Sequence, residues 1–84
     1  MMIAAYILIN SEPGALREAA EKITSIDGVR QIDAITGPFD AIAYAEAGTP
    51  DELGSLVVSR IQKVAGVQKT LTCLVVDLAA AKAA

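Results

Sequence analysis

Apolar residues occupy both alternating sets of positions from Met2 to Ile9: Ile3, Ala5, Ile7 and Ile9 on one, Ala4, Tyr6 and Leu8 on the other. This predicts a first strand that is covered on both faces. Asn10-Ser11-Glu12-Pro13-Gly14 is a turn leading into a helix, with Pro13 suited to its first turn. The helix is predicted to run to about Ile26. It carries Leu16, Ala19, Ala20, Ile23 and Ile26 at helical spacing and turns Arg17, Glu18, Glu21 and Lys22 to water. Asp27-Gly28 ends it.

A second strand is predicted from Val29 to about Thr36 and a third from Phe39 to about Glu46, joined by a tight turn at Gly37-Pro38. So short a link requires antiparallel pairing. Thr49-Pro50-Asp51-Glu52 is a capping box that announces a second helix, with Leu53, Leu56, Val57, Ile61 and Val64 on one face and a stop at Ala65-Gly66. The last strand starts at Val67 and is predicted to reach about Leu78. Residues 1–78 then form one domain, and 79–84 are a tail expected to fray.

The order is βαββαβ, and its halves echo each other: Ile23-x-x-Ile26-Asp27-Gly28-Val29 recurs as Ile61-x-x-Val64-Ala65-Gly66-Val67. A duplicated split βαβ unit predicts an α+β fold of the ferredoxin-like kind, a four-stranded antiparallel sheet with both helices on one face. The other face is left without helices, yet the strands do not turn polar there. Leu71, Cys73 and Val75 alternate with Leu74 and Val76, all apolar. A second copy of the chain is the expected cover, giving a sheet-to-sheet dimer.

Composition supports this reading. Of 84 residues, 54% are hydrophobic and only 20% charged, more aliphatic surface than one small core uses, and a chain of this size buries only about 60 to 65% of its unfolded surface. A net charge of −3 with seven scattered Lys and Arg argues against a surface that tracks phosphates, so no direct nucleic-acid contact is expected. No window reaches the roughly 18 to 20 apolar residues of a membrane span, and Met1 to Ile9 lacks the features of a secretory signal. The single Cys73 cannot form an internal disulfide, which fits a reducing, cytoplasmic setting.

Candidate chemistry is sparse. There is no histidine, no nucleophile–base set, no phosphate-binding glycine loop and no cluster to hold a metal, so neither catalytic residues nor a cofactor are expected. Cys73, within an apolar strand, reads as an inert core thiol. Asp33, Asp40 and Asp77 fall on different strands. Two local features stand out. Thr36-Gly37-Pro38-Phe39-Asp40 places a carboxylate just beyond a sharp turn, able to cap that turn or to bind an ammonium group. Thr70-Leu71-Thr72 puts two hydroxyls on one face of the last strand, a pattern that β-propensity alone also explains.

Taken in order, the βαββαβ pattern, the Gly-Val strand entries, Gly37-x-x-Asp40 and Thr70-x-Thr72 resemble the effector-binding (RAM) domain of the Lrp/AsnC transcription regulators, over about Met2 to Val76. The resemblance implies dimers that assemble into rings such as octamers, with amino acids or related metabolites bound between dimers. It implies that Gly37 and Asp40 belong to a ligand-contacting turn and that Thr70 and Thr72 line the same pocket. The regulators of that family carry a helix-turn-helix domain ahead of this one, whereas here a strand begins at residue 2. The expectation is a free-standing module whose output passes through a partner, such as a full-length regulator. The alternatives are a co-assembly module that needs no ligand and, on the same scaffold, a small dimeric α+β-barrel enzyme. An ACT-type regulatory domain shares the strand order and also binds amino acids, but the Gly37-x-x-Asp40 turn between strands two and three favours the first family.

Overall fold

In a computed structural model, which describes residues 2–78, the chain folds as β1 (Ile3–Ser11), α1 (Leu16–Thr24), β2 (Val29–Ala34), β3 (Ala41–Ala47), α2 (Pro50–Ser55) and β4 (Val67–Leu74). Between α2 and β4 the second helix continues as a π-helical segment, Leu56–Ile61. The sheet order is β2-β3-β1-β4, with every neighbouring pair antiparallel. This is the expected ferredoxin-like arrangement. The fraying expected of 79–84 lies outside the described residues.

The alternation seen in the sequence divides the sheet into two faces. Ala5, Ile7 and Ile9 pair with Ala45, Ala43 and Ala41, and all are at most 1% exposed. In one cluster with them pack Ile23 from the first helix, Ile26 from the turn after it, and Leu53, Leu56, Val57 and Ile61 from the second helix and its continuation. Alanine at every second position of β3 keeps this face low, so two helices can sit close to the sheet. Their larger side chains fill the remaining space.

The element ends differ from expectation for local reasons. The first helix starts at Leu16 rather than Pro13, because Gly14 has φ of +81°, a left-handed conformation that interrupts a right-handed helix. Gly28 and Gly66, the repeated exit residues, have φ of +98° and +94°, which the duplicated motif anticipates. The β2–β3 connection is longer than a tight turn: six residues, Ile35 to Asp40, lie between the strands, and the Ile35 N–H donates to the Asp40 carbonyl at 2.9 Å. Regular pairing of β4 stops at Leu74 instead of Leu78, although the Val75 N–H still donates to Ala4 at 3.0 Å.

The capping box forms with its return bond shifted by one residue, to Gly48 ahead of the N-cap Thr49. Thr49 Oγ1 accepts from the Glu52 N–H at 3.1 Å, and Glu52 Oε1 accepts from the Gly48 N–H at 3.0 Å. The π-helical continuation was not foreseen. Its marker is the Gln62 N–H donating to the Val57 carbonyl at 2.9 Å, five residues back, a widening that a 3.6-residue apolar pattern does not distinguish from an ordinary helix.

Candidate functional site

Asp40 is the last residue before β3 and is tied to β1 three times. Its N–H donates to the Ile9 carbonyl at 2.9 Å, its Oδ2 accepts from the Ser11 N–H at 2.8 Å, and the Ser11 hydroxyl lies 3.5 Å from the same oxygen. Ser11 sits where the β1–β4 register shifts, so its N–H would otherwise fall outside the regular ladder. Asp40 satisfies it. The hydrogen bonds found for its side chain go to β1 and not to the β2–β3 turn it was expected to cap, so within the chain it ties this end of the hairpin to the neighbouring strand. Its Oδ1 makes none of these bonds. Sequence reading missed Ser11, whose role depends on that shift in register.

Gly37 has φ of +129°, and a Cβ placed there would meet no atom within 4 Å. Glycine is required here by backbone conformation, and the space above it is open. Pro38 follows with no N–H to offer.

Thr70 and Thr72 pair with Ile9 and Ile7, which puts both on the helix side of the sheet, at its β4 edge. Thr70 Oγ1 accepts from Gln62 Nε2 at 2.8 Å, and Thr72 is exposed. Gln62, from the turn after the second helix, is a contact the sequence did not suggest. The hollow beside Thr70 is lined by Gln62, Val67, Gln68, Lys69 and Thr70; Gly37 and Asp40 are not among its walls. Asp40 and Thr70 lie on opposite flanks of β1 at the level of Ile9, so one chain brings the two pairs near the same end of the sheet without joining them in one cavity.

The alternate positions face away from the helices. Ala4, Tyr6 and Leu8 of β1 lie beside Glu46, Tyr44 and Ile42 of β3, and Tyr6 and Leu8 lie beside Cys73 and Leu71 of β4. Tyr6, Leu71 and Val75 are 45%, 49% and 47% exposed. Cys73 is exposed as well, which corrects its reading as a core thiol. Apolar neighbours in sequence do not bury it, because it points to the side that no helix covers. Of the three acidic residues assigned to strands, only Asp33 lies within one; Asp40 precedes β3 and Asp77 follows β4. Among the described residues no group of three His, Cys, Asp or Glu is placed to hold a metal ion, and no helix is long and apolar enough to cross a membrane.

A duplicated βαβ sheet with helices on one face, hydroxyls along one edge and a glycine turn at one end defines a small α+β module of the ferredoxin-like class. The sequence matches the Lrp/AsnC ligand binding domain over residues 4–80, and the chain belongs to that family. An uncharacterised HTH-type transcriptional regulator of Pyrococcus horikoshii is 32% identical over 71 residues, 81% of this chain and 47% of the regulator. The chain spans about half the length of the curated regulators it matches. A homocitrate synthase of Sulfurisphaera tokodaii is 34% identical over 74 residues, 87% of this chain but 16% of the enzyme. Among solved structures, TTHA0845 from Thermus thermophilus superposes with a TM-score of 0.85 at 28% identity, covering 89% of this chain and 94% of its own. A transcriptional regulator of Neisseria meningitidis in complex with L-Met gives 0.83 at 19% identity, over 89% of this chain and 50% of its own, a likeness of fold.

Proposed function

We propose that this chain is an effector-binding module of the Lrp/AsnC kind, which takes an amino acid or related small metabolite between assembled copies and acts through a partner protein. The match of the ligand-binding family over residues 4–80 carries the reading. The exposed apolar sheet face supports assembly: two copies stacked face to face bury Tyr6, Leu71 and Val75, and such dimers can build larger rings of the octamer kind. Gly37 and Asp40 from one copy then meet Thr70 and Thr72 from another, joining what a single chain keeps apart. In that pocket Asp40 Oδ1, which makes no bond to Ser11, accepts from the ligand ammonium, while the exposed Thr72 hydroxyl and the open backbone at Gly37 serve its carboxylate. The L-Met complex of the Neisseria regulator supports an amino acid as the ligand class.

The test is a thermal-unfolding series with the standard amino acids, paired with molar mass by light scattering. At least one amino acid is expected to raise Tm saturably, and Asp40→Ala to abolish the rise. No rise with any of them, or a monomer under all conditions, overturns the reading.

A second reading is co-assembly with a full-length relative without any ligand. The likeness of the chain to about half of each of three curated regulators supports it, since similar domains can share one assembly. Mixed oligomers on co-expression with such a regulator, formed in amino-acid-free buffer, would favour it. The partial match to a homocitrate synthase supports an output that need not be DNA binding.

A further inference from the structure

The second helix closes in a way that an ordinary helix does not. The Gln62 N–H donates to the Val57 carbonyl at 2.9 Å, five residues back, and ends the π-helical segment Leu56–Ile61. In an α-helix five residues turn through a full circle and about 140° more, which would point Gln62 away from the side that Val57 buries in the core. The wider closure brings it back towards that side. Gln62 Nε2 thereby reaches β4 and donates to Thr70 Oγ1 at 2.8 Å. Short π segments within helices recur at functional sites, and this one aims a carboxamide at the threonine edge. The bond also fixes what each partner still offers. An amide nitrogen cannot accept, so the Thr70 hydroxyl hydrogen is directed elsewhere. Among the described residues nothing takes that hydrogen, and Gln62 Oε1 has no donor. The hollow beside them, about 360 Å³, is walled by Gln62, Val67, Gln68, Lys69 and Thr70, with no carboxylate. Lys69 lies opposite Asn10 and so alternates to the other side of the strand from Thr70. On the helix side the polar groups are neutral, a donor and an acceptor held next to each other.

We propose that Gln62, anchored on Thr70, is the residue that selects the effector's side chain, and that the module takes an amino acid bearing a carboxamide. This rests on the effector-binding function above, in which Asp40 holds the ligand ammonium and Thr72 its carboxylate. Thr70 lies two residues, about 7 Å, along the strand from Thr72, where a side chain extended along the β4 edge arrives. A carboxamide there donates to Gln62 Oε1 and accepts from the Thr70 hydroxyl, so every polar group finds its complement. A carboxylate can only accept and meets Oε1 with like charge. An aliphatic or thioether side chain displaces water and leaves both groups unpaired.

Two pairs of amino acids of similar size isolate the hydrogen bonds. The full chain is titrated calorimetrically with L-glutamine against L-methionine and with L-asparagine against L-leucine, and L-glutamate serves as the charged comparison. The carboxamide of each pair is expected to bind about tenfold tighter than its partner, and glutamine tighter than glutamate. Gln62→Leu keeps the bulk of an exposed side chain and removes both polar groups. It is expected to abolish the preference while methionine binds as before, whereas a merely structural role would weaken both members alike and keep their ratio. Thr70→Val, which removes the anchor and keeps the shape, is expected to do the same. Preference for any amino acid without a carboxamide, or a ratio unaltered in either folded variant, overturns this proposal and leaves effector binding standing. Binding of no amino acid at all overturns both.

Discussion

On the helix-covered face of the sheet, Ala5, Ile7 and Ile9 of β1 and Ala41, Ala43 and Ala45 of β3 are at most 1% exposed; one residue along the same strand, Tyr6 is 45% exposed. The two faces draw on similar apolar residues and differ in what covers them. The covered face sets large against small, Ile7 beside Ala43 and Ile9 beside Ala41, and the helix side chains fill the space above the alanines. The open face mixes Tyr, Leu, Cys and Val with Gln31 and Asp33, and it exposes more apolar surface than a solvated sheet face ordinarily does. Apolar content on one face is buried in the core, whereas on the other it stays partly exposed.

The largest contrast is expected from shortening one residue on each side. Ile7 is fully buried among the helices, and Ile7→Ala should destabilise the chain by about 2–5 kcal/mol through lost transfer energy and a residual cavity. Leu8, its neighbour on the open side, is only half-buried, and Leu8→Ala should lose clearly less in urea unfolding at low protein concentration. Equal losses would erase the distinction between the faces.

Backbone positions sharpen the same contrast. At Gly28 a Cβ would approach the Glu46 carbonyl to 2.8 Å and Leu56 Cδ1 to 2.7 Å, where the Gly28 carbonyl also accepts from the Glu46 N–H at 2.8 Å. Gly28→Ala should therefore lose about 1–3 kcal/mol from the left-handed conformation, with crowding against the core added. Gly37→Ala meets no neighbour and should show the conformational part alone. Thermal unfolding of the two variants ranks them, and a costlier Gly37→Ala would mean that the turn is packed more tightly than its open surroundings indicate.

Much of this architecture was legible in the sequence, and the exceptions share a cause. The element order, the paired Gly28 and Gly66 exits, the capping box and the bare sheet face all follow from short-range periodicity and from residues with restricted conformations. What escaped depends on geometry that short-range patterns do not carry: the register that puts Ser11 beneath Asp40 and Tyr6 beside Tyr44, and the turn that brings Gln62 back onto Thr70. Cys73 was misjudged for the same reason, since period-two alternation assigns it a face but does not tell which face the helices take. At the candidate effector site, sequence reading found residues at one end of the sheet and could not find that β1 stands between them.

A smaller effect is expected at the helix start over the covered face. Thr49→Ala removes the acceptor for the Glu52 N–H and should lose about 1 kcal/mol, while Thr49→Ser should restore most of it. Because α2 brings Leu53 onto the sheet, the loss should appear in global unfolding. If only local amide exchange near Glu52 accelerates, the second helix is coupled to the core more loosely than its burial implies.

The smallest change in intrinsic stability should carry the clearest information on the open face. Leu71 is 49% exposed, so Leu71→Asn removes little buried surface from a single chain and should shift its unfolding free energy by no more than about 0.5 kcal/mol. In a face-to-face dimer the same change places an amide in an apolar contact. The molar mass by light scattering should then fall, and Tm should lose the dependence on protein concentration that assembly confers. Thr72→Asn, one residue along on the helix side, is the control that should leave the dimer contact intact. If Leu71→Asn leaves mass and concentration dependence unaltered, the open face does not hold the copies together. The apolar residues of β4 must then be explained by its edge, where Leu74 is 57% exposed on the opposite side.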